Sequence, residues 1–452
     1  MSTQSQAFRQ YTDLWHSLGE QRKATGLMAH INQAGYDSTL AAAEAYRRDP
    51  MGIDGVHPDQ LAAPDYGVNI FGVTTPVDIA QALKCGVTTI NSLPAIVAND
   101  TFVPTEPLLH DLPAGVTVCS LNNVPEHLRE RVFEALSHTD AASALNAMLL
   151  TDGVLIHLAK GMRLERPIQI VNISQCTAPI LSARRILVLA DEDSYGRLLL
   201  CDHSLTDTVE HLNLEIVDVD LARGAEFELY DIEEGSETAR RWWRLNARQQ
   251  SDSRLTANTF FLHGGHTRNE YSIEAAGDHT DTRLGGLAVC APDRIVDNEV
   301  LLRHSGTHGT SRQLFKNALY GNARGGFGGK IIVEEGAVFT DAVQTNRNLL
   351  IGDQASMTAA PQLEIYCDEV KCGHGATTGQ LDERALFYMQ SRGIPADEAR
   401  NMLTQAFMSD VVDCIGYQVL RQRLHILVEK RLSGAATSCD ACTSVCHSPK
   451  ES

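Results

Sequence analysis

The spacing of apolar positions changes character twice along the chain. Up to about residue 150 it is helical and punctuated by start and stop signals. Ser38 reads as the N-cap of "STLAAAEAYRRDP", which Asp49-Pro50 stops. Thr75 caps "TTPVDIAQALKCG", with Pro76 at the first helical position and Gly86 just past the end. Pro125 starts "VPEHLRERVFEAL", and "LPAGVTVCSL" is a short β-type run between helices. From "TDGVLIHLAKG" onward the period becomes two. In "HLNLEIVDVDL", Leu212, Leu214 and Ile216 alternate with polar residues, and then the apolar set slips to Val217, Val219 and Leu221. A slip reverses the buried face, which predicts a bend or bulge. Short alternating runs continue through "GGKIIVEEGAVFTDAVQTNRNLLIG".

After residue 380 the helical period returns. Asp382 caps a helix ending at Gly393, and Pro395 opens another in which Ala399, Met402, Leu403, Ala406 and Phe407 form the apolar stripe. A third segment aligns Leu420, Leu424 and Leu427. The pattern therefore divides the chain into a mainly helical region 1–150, a β core 151–380, a helical region 381–432 and a tail 433–452. Sandwich, propeller and β-solenoid are the architectures for such a core, and no WD or kelch-like signature favours the propeller. Turn spacing suits a sandwich too. Helices at both ends favour the solenoid, whose strand edges are exposed only at its termini and need caps there. A chain of 452 residues also exceeds one ordinary compact core, a limit that stacked repeats escape.

Charge removes some functions. With 38 basic and 57 acidic residues the net charge is −19, unsuited to nucleic acid. No stretch approaches the ~20 apolar residues of a membrane span, and the polar N-terminus has no apolar signal core, so the cytoplasm is expected. Most of the scattered cysteines are read as small buried hydrophobes.

The chemistry concentrates near residue 370. Cys372 and His374 lie two apart and share one face of an extended strand, as two ligands to one metal would. Cys367, at an odd offset, faces the other way unless the strand breaks. Two ligands do not complete a metal site, so the others come from a second chain or a remote segment; the alternative is a buried cysteine beside a hydrogen-bonded histidine. "GGFGGKI" has Arg324 and Ile331 where a phosphate loop requires Gly and Ser or Thr, and it reads as a turn. His304 and His308 read as loop residues. In the tail, Cys439, Cys442, Cys446 and His447 have ligand spacing, which suits metal binding, a redox thiol pair or a plain appendage. No nucleotide-hydrolysing motif is present, so any ATP use belongs to a partner.

The segment "LEIYCDEVKCGHGATTGQLDERALFYMQSRGI", with its KC-x-HGAT-x-G motif, resembles the SufB/SufD family of scaffold subunits in the SUF iron–sulfur cluster assembly system. "TDGVLIHLAKG", "TDAVQTNRNLLIG" and "LPAGVTVCSL" are similar to that family's motifs as well. The extra upstream cysteine that marks the SufB branch is not seen, which favours the SufD branch. The resemblance implies a right-handed parallel β-helix between helical domains. It also implies a non-catalytic scaffold, paired with a SufB paralogue and with the ABC-type ATPase SufC, or with itself in isolation. By the same resemblance His374 and Cys372 would contribute to a nascent cluster at the SufB–SufD interface. The C-terminal helices, with Met402, Leu403 and Phe407, would dock SufC. Flavin enters as a cofactor through the resemblance alone, and nothing carries over to the tail. Outside this family, a β-helix polysaccharide lyase or hydrolase and a stand-alone structural solenoid are the competing readings.

Overall fold

The structure, a computed structural model, describes residues 6–19, 24–48, 52–69, 73, 76 and 90–433. Apart from Pro76, the expected helix around residues 75–86 lies outside the described residues, as do the four tail ligands Cys439, Cys442, Cys446 and His447. Among the described residues no helix is long and apolar enough to cross a membrane.

The alternating region winds into a β-solenoid of about eight turns, each contributing one strand to each of two ten-stranded sheets. Four short strands precede the winding: β1 (Gly67–Val68), β2 (Leu93–Ala98), β3 (Thr101–Pro104) and β4 (Val116–Ser120). The first sheet then takes β5 (Val154–Leu158), β7 (Ile180–Ala190), β9 (His211–Leu221) and β11 (Ala239–Gln249). It continues with β13 (His266–Ala275), β15 (Ile295–His304), β17 (Arg324–Val333) and β19 (Ser356–Ile365). The second sheet takes β6 (Ile168–Ser174), β8 (Tyr195–Ser204), β10 (Glu226–Glu234) and β12 (Arg254–His263). It ends with β14 (Asp281–Cys290), β16 (Thr310–Tyr320), β18 (Asp341–Ile351) and β20 (Lys371–Gly379). Because β2 pairs with β6 and β4 with β5, the sheets begin before residue 151.

Each coil turns one corner through a residue in the left-handed region. Asp193, Gly224, Asp252, His279, His308 and Phe339 all have positive φ. Each donates its N–H to a carbonyl of the next coil, on Arg223, Ser251, Asp278, Thr307, Val338 and Glu369 in turn. Inside, rings meet edge to face or tilted along the axis from Trp243 to Tyr271, Phe315 and Phe327, with centroids 5.1–5.6 Å apart.

Packing corrects three readings of the pattern. The phase slip in β9 is not a bulge, since its register with β7 and β11 is unbroken. Val217, Val219 and Leu221 point into the solenoid, whereas Leu212, Leu214 and Ile216 point outward and are buried by N-terminal helices. "GGFGGKI" is no turn but the centre of β17. Its glycines make room for neighbours: a Cβ on Gly329 would stand 2.4 Å from Gln344 Oε1. Ser38 is no cap either. It lies within the helix Gly26–Arg48, its hydroxyl donating to the Ala34 carbonyl one turn back.

Most helices cover faces, but the short helix Glu106–Asp111 puts Leu108 into the interior core at the first coils. N-terminal helices pack Phe8, Tyr11 and Leu145 on the outside of the first sheet, against Leu214 and Trp242. The helices Glu383–Ser391, Ala396–Asp413 and Gln418–Leu432 follow β20, and the latter two fold back across the second sheet. Met408, Val411, Val412 and Leu424 meet Tyr230, Phe260 and Leu287 there. Arg197 lies over the Tyr417 ring at 4.2 Å. At the C-terminal end the expected cap is therefore not where the helices sit, and β19 and β20 remain the last strands of their sheets. The buried face of Ala396–Asp413 also differs from the expected stripe. Ala399, Thr404, Met408, Val411 and Val412 are buried, while Met402 is 46% exposed and Leu403 and Phe407 are half-buried.

Candidate functional site at the open coil

Cys372 and His374 are both on β20, facing Ala342 and Gln344 of β18 in register. Those partners are fully buried inside the solenoid. The two candidate ligands thus share the interior-facing side of the last coil, where no further coil covers them. His374 is exposed and Cys372 half-buried against the end of the core. Burial raises the Cys372 thiol above its ordinary range, an effect opposed by a backbone hydrogen bond from Ala342. Cys367 precedes the strand, and it too packs half-buried against the core. Gly373 and Gly375 have open space where a Cβ would be, so a partner backbone can approach closely.

No complete ligand set surrounds these two among the described residues. Among the described residues, the one trio of potential ligand atoms mutually within 4.8 Å is Asp202, Glu215 and Asp231, deep in the solenoid. An arginine already serves that trio. Arg241 Nη2 lies 3.0 Å from Asp202, 3.1 Å from Glu215 and 2.8 Å from Asp231, and Nη1 is 3.5 Å from Glu233. Burial pushes Glu233 up to about 8 against the pull of Arg241. The cluster is thus an ion-pair network, in which the guanidinium fills the place a metal would take.

A ladder of interior amides that the sequence reading missed leads to the open coil. Gln344 donates to Gln313 at 2.7 Å, and Asn317 donates to Asn348 at 2.8 Å. Asn348 in turn reaches Thr378 of β20 at 3.4 Å. The signal is visible in retrospect. "SRQLFKNALY" and "DAVQTNRNLL" place Gln and Asn at matching positions of successive coils, and His374 and Thr378 occupy those positions in the last one. Of the other histidines, His304 is buried against Ser311, 3.0 Å from its hydroxyl, and burial lowers it to about 4. His308 stacks between His279 and Phe339 on the corner ladder. Contrary to the expectation that most are buried, only Cys176, Cys201 and Cys290 of the described scattered cysteines are; Cys119, Cys367 and Cys372 are half-buried and Cys414 is exposed.

Two family profiles match the chain. The profile described as "SUF system FeS cluster assembly, SufBD core domain" spans residues 173–407, and the "SufBD protein N-terminal region" spans 55–170. The iron–sulfur cluster assembly protein SufD of Escherichia coli is 35% identical over 185 residues, 41% of this chain and 44% of that protein. An iron–sulfur cluster assembly SufBD family protein of Synechocystis is 26% identical over 78% of this chain and 81% of its own length. A chloroplastic protein of Arabidopsis thaliana is 28% identical over 67% and 66% of the two chains. With the core profile spanning more than half its length and matching the solenoid, the chain belongs to the SufBD family of SUF-system iron–sulfur cluster assembly proteins.

Proposed function

We propose that this chain is a SufD-type, non-catalytic scaffold that builds nascent iron–sulfur clusters jointly with a SufB-type paralogue. The observation carrying this reading is the uncovered last coil. Strands β19 and β20 each have a neighbour on one side only, which leaves a row of backbone donors and acceptors for a second chain's strands. Cys372 and His374 stand on that coil with two ligands to offer, and among the described residues none completes them. The partner's edge supplies the rest, and the cluster is cargo held between two chains. Without the paralogue, the same edges offer themselves to a second copy of this chain.

The helices beyond β20 are the docking element for a SufC-type ATPase. Phe387 (72% exposed), Tyr388, Met402, Val419 and Ile426 are exposed apolar side chains on these three helices. Phe407 has a different part. Lys316 Nζ lies 4.6 Å from its ring centre and donates to its carbonyl at 2.7 Å, so Phe407 fastens the helix to the second sheet. Met402, with Leu403 beside it, therefore carries the docking. Flavin has no comparable support. A groove of about 550 Å³ beside Val411 and Cys414 is lined by no aromatic ring to stack on it.

Co-expression with SufB- and SufC-type chains, followed by pull-down and iron and sulfide analysis, tests the reading. The expected result is a stable complex that holds iron and sulfide, whereas the isolated chain holds little. A stoichiometric cluster in the isolated chain, or failure to capture either partner, overturns it.

A further inference from the structure

The glycine run of β17 makes room for a second acidic site on the far side of the first sheet. Asp297 and Glu299 of β15 point outward there, across from Gly326 and Gly328. A Cβ on Gly326 would lie 2.0 Å from Asp297 Oδ1, and one on Gly328 would lie 1.9 Å from Glu299 Oε2. The carboxylates thus occupy the volume that any other residue would fill. Both residues line a cavity of about 270 Å³ beneath Gly52 and Ile53, with Lys330, Thr358 and Gln362 on its opposite wall.

Neighbouring cations do not satisfy these oxygens. Arg268 Nη1 bonds Asp297 Oδ2 at 2.6 Å, and its Nε bonds Glu270 at 2.6 Å. Arg244 bonds Glu270 at 2.7 Å, and Lys330 pairs with Glu364 at 3.1 Å. That leaves Asp297 Oδ1 and Glu299 Oε2 buried without a hydrogen-bond partner, although Asp297 is fully buried and Glu299 only 6% exposed. Unpartnered buried carboxylate oxygens are costly. Burial, followed by the charge of Asp297, pushes the Glu299 carboxyl up to about 8.

We propose that this cavity binds one divalent cation through Asp297 Oδ1 and Glu299 Oε2, with the side-chain oxygens of Thr358 and Gln362 on the facing wall. An all-oxygen set of this kind suits hard ions of the Mg²⁺ or Mn²⁺ class rather than thiolate-seeking ones. The site is separate from the open coil and does not depend on the scaffold reading.

Titration of the full chain with Mn²⁺, followed by electron paramagnetic resonance of the free ion, tests the assignment. The wild type is expected to bind one Mn²⁺, and Glu299→Gln to weaken it at least tenfold. The glutamine has nearly the same shape and no charge, so its melting temperature should match or exceed that of the wild type. Absence of Mn²⁺ binding to the wild type at millimolar concentrations overturns the proposal. So does a Glu299→Gln protein that melts normally and binds Mn²⁺ as before, because the ion then sits elsewhere.

Discussion

His374 and Glu233 both face the solenoid interior, yet opposite consequences follow from their surroundings. His374 is exposed at the open end, so His374→Ala is expected to change stability by no more than about 0.5 kcal/mol. Iron in the assembled complex should nevertheless fall. Melting temperature and iron content measured on the same complex decide this, and lowered melting with normal iron would return His374 to a structural role. Glu233 is buried beside Arg241, with its pKa raised to about 8. The folded state holds its proton more tightly than the unfolded chain. Its contribution is therefore fully present below the ordinary carboxylate range and is lost as pH rises toward 8. One such proton corresponds to a slope of up to about 1.4 kcal/mol per pH unit. Thermal melts from pH 5 to 8 should show falling stability, and Glu233→Gln should flatten part of that fall.

On the proposed reading, the helix Ala396–Asp413 divides packing from docking along a single element. Met408 is fully buried against the second sheet, and Met408→Ala is expected to cost ~2–5 kcal/mol and to loosen the helix. Met402 points to solvent, so Met402→Ala should leave melting unchanged while weakening ATPase capture. Parallel melts and pull-downs of the two variants check the assignment; equal capture by Met402→Ala and wild type would remove Met402 from the docking surface. The expected apolar stripe erred because the helix contacts the outside of a sheet along Ala399, Thr404, Met408, Val411 and Val412. Hydrophobic spacing alone located Met402 and Phe407 on the inner side, whereas the helix packs by Met408, Val411 and Val412 with Lys316 holding Phe407.

For the whole molecule, the decisive feature is that the C-terminal helices lie along the solenoid while its last coil stays open. A charge introduced at that edge blocks strand addition without disturbing the core. Ala376, exposed on β20 and on the same face as His374, is the test position. Ala376→Lys should melt like the wild type yet fail to pair with a SufB-type chain in size-exclusion chromatography. Undiminished pairing would mean that the partner binds another surface.

The alternation of period two, the return of helical spacing after residue 380 and the paired Cys372 and His374 were legible in the sequence. Each follows from local geometry, in which side chains two apart on a strand share a face and those three or four apart on a helix do. Local geometry says nothing about what covers the outside of a sheet. It therefore turned the doubly buried strand β9 into an imagined bulge and the glycine-rich strand β17 into a turn. Only the stacked coils bring Gln313, Gln344 and His374 into one column, place Glu299 over Gly328 and set Arg241 among four carboxylates. The column and the Glu299–Gly328 contact join residues some thirty positions apart, at a separation fixed by the length of a coil, and the open end exists because the chain folds back over its own sheet instead of capping it.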